Sequence, residues 1–199
     1  MPRARFGLDR LGEVTDTFSA ADVEAIRTRV RELLPALRAD LEALSRIPSL
    51  SADTHEDFDQ AAVDASAEQV AQLLRAEGLS VEIVREGGQP AVIGHLDGPP
   101  GSPTVMLYAH HDVQPTGDHA LWDTDPWEPT ERDGRLYGRG VADDKAGITA
   151  HLAALRVHSG SLPVGVTVFV EGEEEYGSDS LPTILARHGD KLAADAIVL

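Results

Sequence analysis

The chain contains no cysteine. That excludes a disulfide framework and a thiolate metal site, so a transition metal would have to be held by His, Asp and Glu. Basic residues are scarce too: 17 Lys and Arg stand against 34 Asp and Glu, for a net charge of -17. A field of that sign repels phosphate backbones and anionic headgroups, so neither nucleic acid nor a membrane surface is expected as a partner. No apolar run approaches membrane-spanning length, and the opening Met-Pro-Arg-Ala-Arg-Phe-Gly-Leu-Asp-Arg lacks the apolar core of a secretion signal. The expected location is cytoplasmic. Aromatic residues make up only 5% of the sequence, yet 42% of its 199 residues are hydrophobic, enough for one α/β domain with a sizeable core.

Residues 1–18 carry no periodicity and read as a loose lead-in; order is expected over residues 19–199. Ser19 is placed to cap a helix, with Asp22 at the capping-box position and Val23, Ile26, Val30, Leu33 and Leu34 following at helical spacing. Leu37, Leu41 and Leu44 carry the stripe past Pro35, which allows either one kinked helix or two in series, ending before Ile47-Pro48-Ser49. A second helix is expected from about Asp57 to Glu77, with Val63, Val70, Leu73 and Leu74 on one face and Gly78 at its C-terminal cap. Val81 and Ile83 then alternate with polar residues as a half-exposed strand. Gly87-Gly88 makes a turn into Ala91-Val92-Ile93, and the stretch from Asp97 to Pro103, rich in Gly and Pro, leads to a central strand at Val105 to Ala109.

Further on, Asp133-Gly134 between Glu131-Arg132 and Arg135-Leu136-Tyr137 signals a hairpin. Trp122 and Trp127 lie in the polar stretch before it and fit either pins for an ordered loop or a wall against a substrate. A helix is expected from about Lys145 to His158, with His151 and His158 as surface or packing residues. A β-branched strand follows from Val164 to Val170, then a short helix from Leu181 to Arg187 and an apolar strand from Ala196.

Three clusters of metal-type donors stand out, two of them where apolar strands end. Val-Met-Leu-Tyr-Ala runs directly into His110-His111-Asp112, placing an imidazole and a carboxylate at a strand's carboxyl end, where open α/β sheets bind ligands. Taken alone, this is equally a strand ending in a polar turn. Asp143 and Asp144 precede the helix at Lys145; N-terminal capping accounts for one of them but scarcely for both. Glu173, Glu174 and Glu175 follow the strand ending at Val170, and acids packed that closely repel one another unless cations or solvent separate them. Together the clusters offer what a two-metal hydrolase needs from side chains: a bridging carboxylate, terminal His and carboxylate ligands, and an acid to take a proton from water.

The segments from about Leu41 to Leu199 resemble the co-catalytic zinc dipeptidases and N-acyl-amino-acid hydrolases, a group that includes carnosinase, acetylornithine deacetylase and succinyl-diaminopimelate desuccinylase. Carnosinase-like dipeptidases carry His-x-Asp-Val-Gln-Pro, then Trp, Asp-Pro, Asp-Gly-x-Leu-Tyr-Gly-Arg-Gly and Asp-Asp/Asn-Lys, and all of these occur here in that order. The relatives acting on acetylornithine and diaminopimelate more often have Val-Val-Pro after the Asp, so Gln114 favours a dipeptidase. The resemblance implies a three-layer zinc-aminopeptidase-like α/β domain, with a mixed, mostly parallel sheet flanked by helices. It implies two zinc ions, or manganese or cobalt on the same donors. His110 would be a ligand of one zinc, Glu175 of the other, and Asp143 would bridge them, followed by a cis peptide bond to Asp144. Asp112 would orient the site and Glu174 would act as general base. Glu173 receives no role.

The implied substrate is a dipeptide, with an N-acyl amino acid as the alternative; a non-catalytic metal-binding fragment is the reading outside enzymology. Two departures stand against the pattern. Relatives place Gly directly after the Lys, whereas here Ala146 intervenes before Gly147. The resembled enzymes also draw an acid from the end of the strand beginning near Asp195, a His from near their C-terminus, and a lid domain that dimerises them. The expectation is therefore the N-terminal part of a longer homodimeric enzyme, cut within a core strand and inactive alone.

Overall fold

The computed structural model describes residues 19–51, 53–158 and 162–199; the lead-in expected at residues 1–18 lies outside them. The chain begins with α1 (Ala20–Ser45), capped by Ser19, whose Oγ accepts from Asp22 N while the Asp22 carboxylate accepts from Ser19 N. Of the two arrangements that Pro35 permits, the structure takes the single helix. The stripe explains this: Leu33, Leu37 and Leu44, on both sides of the proline, pack against one core, and that burial offsets the backbone bond the proline cannot donate.

Helix α2 (Gln60–Ala76) starts at the cap Asp59, slightly later than expected, and buries Val63, Val70 and Leu74. It leads into β1 (Ser80–Val84), β2 (Ala91–Leu96) and β3 (Thr104–His110). A small hairpin, β4 (Thr130–Arg132) and β5 (Arg135–Tyr137), closes through Asp133 and Gly134 at φ 50° and 73°, the left-handed pair that a two-residue turn demands. The remaining elements are α3 (Lys145–Val157), β6 (Gly165–Glu171), α4 (Leu181–His188) and β7 (Ala196–Val198).

The five-stranded sheet has the order β1-β2-β6-β3-β7. β1 and β6 are each antiparallel to β2, while β3 is parallel to both β6 and β7, so the sheet is mixed and β2 is the one reversed strand. The strand expected at the centre, β3, lies beside the middle one. β6 takes the middle place and is buried at every position, as its β-branched run requires. One face packs Val92, Leu107, Ala109, Val166, Val168 and Val170 against α1, α2 and α3; the other packs Ile93, Met106 and Phe169 against α4 through Ile184. This is the expected three-layer α/β arrangement. Arg156 ties the helical layer together, donating to Asp40 at 2.6 Å on α1 and to Glu77 at 2.8 Å after α2.

This topology positions the donor clusters. β3 and β6 are adjacent and parallel with His110 opposite Glu171, so the loops that follow them leave the sheet side by side. A bridge between Leu50 and Val113, with Val113 N donating to Ser49 O at 3.0 Å, holds the loop after β3 against the segment that follows α1.

Candidate metal centre

His110 ends β3 with its ring buried and both nitrogens engaged. Nδ1 lies 3.1 Å from the carbonyl oxygen of Asp112 and 3.4 Å from its carboxylate, so the proton belongs on Nδ1. Nε2 points the other way, 3.0 Å from Asp143 Oδ1 and 3.8 Å from Glu174 Oε2. An imidazole whose Nδ1 is fixed by a carbonyl or carboxylate presents Nε2 to a cation, which is how metal-binding histidines are usually oriented.

Asp112 is wholly buried and organises the neighbouring loop as well. Its two oxygens accept from Glu174 N at 3.3 Å and Glu175 N at 2.9 Å. Burial disfavours its charge, but the bond to His110 and the surrounding donors outweigh that and hold its pKa below the usual carboxylate value. Burial likewise disfavours charge on His110, and Asp112, by hydrogen bond and Coulomb attraction, overcomes it and lifts the imidazole to about 9.

Asp143 and Asp144 have separate jobs. The peptide bond between them is cis. Asp144 is the N-cap of α3: its Oδ1 accepts from Gly147 N at 3.1 Å and its Oδ2 from His110 N at 3.3 Å. Capping thus accounts for Asp144 and leaves Asp143, whose side chain is 71% exposed, free to face His110 Nε2. The shifted glycine has a local reason as well. A Cβ at Gly147 would run into the Asp144 carboxylate as it lies here, so another residue at that position would make the cap shift.

Glu174 and Glu175 sit on a short 3-10 turn, Glu174–Tyr176. Burial raises the pKa of Glu175 and the nearby charge of Asp143 adds to the rise, while a hydrogen bond from Gln114 opposes it. One donor atom each from His110, Asp143 and Glu175 lie within 4.8 Å of one another, forming a group that can hold a metal ion. An imidazole and two carboxylates without a thiolate suit zinc, manganese or cobalt, so the residues present fit the cation expected from sequence.

Several residues passed over in the sequence build this site from behind. Glu173 is buried and accepts from Gln89 N at 2.9 Å, Ser180 N at 3.0 Å and Ser180 Oγ at 2.5 Å, clamping the acidic loop. Lys145, wholly buried, donates to Leu44 O at 2.9 Å and Ile47 O at 2.7 Å, and burial brings its pKa down to about 7. His111 is also buried and donates through Nε2 to Pro90 O at 2.8 Å; burial pushes its pKa down. Lys145 lies in the Asp-Asp-Lys motif and Glu173 in the acidic run, but their roles do not show in sequence, because Leu44, Ile47 and Gln89, like Pro90 for His111, are distant in the chain. Trp122 pins its loop: its Nε1 donates to Thr116 O at 2.9 Å, and Arg139 lies over its ring, contacts that leave a substrate-wall role untested. His151 packs as expected, its Nε2 donating to Tyr108 O at 2.7 Å.

Fold and donor set together define a three-layer α/β domain in which the loops after two adjacent parallel strands and the start of α3 bring together an imidazole and two carboxylates that could hold a metal ion. Residues 106–199 match the model of Peptidase family M20/M25/M40. The chain is 36% identical over 154 residues to the cysteinylglycine-S-conjugate dipeptidase of Corynebacterium striatum, covering 74% of this chain and 32% of that protein. It is 37% identical over 145 residues to the Beta-Ala-His dipeptidase of Mus musculus, covering 65% of this chain and 30% of the relative. Human carnosine dipeptidase 1 superposes with a TM-score of 0.80 at 29% identity, over 88% of this chain and 40% of that one. The chain thus spans about a third of the length of these curated relatives. Among the described residues, no helix is long and apolar enough to cross a membrane.

Proposed function

We propose that this chain supplies the metal-binding half-site of a dinuclear zinc dipeptidase, an enzyme that hydrolyses the peptide bond of a dipeptide with water as nucleophile. The observation that carries the reading is the convergence of His110, Asp143 and Glu175, from three separate segments, to within 4.8 Å. They come from the end of β3, the start of α3 and the loop after β6, and three donors of metal-ligand type directed at one point are what a cation site requires. The similarity to dipeptidases on two sequence comparisons supports the choice of substrate class.

In this reading His110 would hold one zinc through Nε2, Glu175 the other, and Asp143 would lie between the two. When bound, the pair of cations would polarise the scissile carbonyl and lower the pKa of a water molecule. The remaining chemistry belongs to side chains of this chain. Glu174 is the general base: it stands 3.8 Å from His110 Nε2, its side chain is 45% exposed, and its backbone is anchored to Asp112, so its carboxylate reaches the site without being consumed as a cap or clamp. It accepts a proton from water and returns it to the leaving amine. Asp112 fixes the His110 tautomer and the backbone of both glutamates at once.

The test is metal analysis and hydrolysis by the full-length protein against a panel of dipeptides and N-acyl amino acids. Two divalent cations per chain and cleavage of dipeptides are expected. Preference for N-acyl amino acids would move the enzyme to the deacylase branch, and absence of bound metal would overturn the reading.

A further inference from the structure

The acid at the far side of the cluster is held by the side chain of Gln114. Gln114 is exposed, yet its Nε2 makes two hydrogen bonds, both to Glu175: one to the backbone carbonyl at 2.7 Å and one to Oε2 at 3.1 Å. With Asp112 Oδ2 accepting from Glu175 N at 2.9 Å, the residue is fixed at its amide, its carbonyl and its carboxylate. All three bonds come from the loop after β3. That loop carries His110 itself, so one short segment sets both the imidazole and the carboxylate that would face it across the cluster.

The base of Gln114 is braced as well. Arg139 Nη2 donates to Pro115 O at 3.0 Å, and Trp122 Nε1 donates to Thr116 O at 2.9 Å beneath the Arg139 guanidinium. Arg139 stands shortly before Asp143, so the brace ties the third donor segment to the same loop. An amide is suited to this place chemically. It donates to a carboxylate, adds no negative charge to a site already crowded with acids, and its nitrogen does not compete for a cation.

We propose that Gln114 is a positioning residue of the metal centre: its carboxamide sets the orientation in which Glu175 offers an oxygen to the cation. This rests on the metal-centre reading above. Glu175 would otherwise be a rotatable acid on an exposed turn, free to relax away from Asp143. Groups that orient metal ligands in this manner typically change metal affinity about 10- to 100-fold when removed.

The experiment is zinc titration of the full-length protein as wild type, Gln114→Ala and Gln114→Met, with thermal melting of the metal-free forms and dipeptide turnover across a range of zinc concentrations. Gln114→Met keeps the length and the neutral charge but removes the donor, so it tests orientation without opening space. Both variants are expected to weaken zinc binding at one of two sites by about 10-fold or more. Their metal-free melting should match wild type, and excess zinc should restore turnover with KM unchanged. A purely structural role would instead lower the metal-free melting temperature and leave a loss that zinc does not restore; that result would overturn the proposal, as would wild-type affinity in both variants. If wild type itself bound no zinc, the metal-centre reading would fall and Gln114 with it. If Glu175→Gln lost zinc while both Gln114 variants kept it, only the role of Gln114 would fall.

Discussion

His110 Nε2 stands 3.0 Å from Asp143 Oδ1, although the two residues reach the site from different elements, one ending β3 and the other preceding α3. The contact joins a buried ring to an exposed carboxylate, and without a cation it is an ion pair of an imidazolium with an acid. A divalent ion placed between them would replace the proton.

Removing the acid from that pair should therefore remove metal. Asp143→Ala in the full-length protein should lose most bound zinc and nearly all activity, because two dications would then lack a shared carboxylate to screen them. Asp144→Asn should do less to metal content, since Asp144 serves as a cap that Asn can also provide. Metal analysis of the two purified variants checks this; two retained zincs in Asp143→Ala would remove Asp143 from the ligand set.

Neighbouring glutamates should give opposite phenotypes. Glu174→Gln should keep both metals and slow turnover by roughly 100-fold or more, the range seen when a general base is lost. Glu175→Gln should lower zinc affinity first, with turnover recovering as zinc is raised. Exchanged phenotypes would mean that the base and ligand assignments are reversed.

Proton competition should shape metal binding. The folded, metal-free pKa of His110 is raised to about 9, above its ordinary 6.5, so the ring carries a proton at neutral pH and must release it from Nε2 to bind a cation. Zinc affinity should accordingly strengthen as pH rises toward 9 and level off above it. Asp112→Asn removes the charge that sustains the imidazolium, so His110 should titrate at lower pH. An NMR titration of the His110 ring in both metal-free proteins reads the shift directly, and an unmoved midpoint would show that Asp112 does not hold the charge.

Glu173 should behave as structure. Its carboxylate takes three hydrogen bonds from Gln89 and Ser180 in a buried setting, and Glu173→Ala would strand those donors. With each stranded group costing about 1–3 kcal/mol, destabilisation of several kcal/mol is expected in denaturant unfolding. Zinc per folded molecule should remain near wild type. Selective loss of metal with undiminished stability would move Glu173 into the site.

Local pattern was enough for the secondary structure. The capping box at Ser19 and Asp22, the Asp133-Gly134 turn and the continuous β-branched run of β6 are all decided within a few residues, and the structure contains each of them. The motif from His110 to Pro115 likewise marked where the donors lie, because strand ends and ligand-type residues are visible in one dimension. What the sequence by itself left open was every choice that depends on a distant partner. Pro35 permitted one helix or two until the shared core on both sides of it selected one. By residue type alone Asp143 and Asp144 are two equal acids before a helix, told apart only by the family resemblance; in the structure Gly147 and His110 N draw Asp144 into the cap and leave Asp143 facing the imidazole. The three glutamates after β6 read as one acidic run. Only the tertiary structure sends Glu173 inward to Ser180, Glu175 toward Asp143 and Gln114, and Glu174 toward the His110 ring, because the groups that separate them come from chain segments that adjacency in sequence does not reveal.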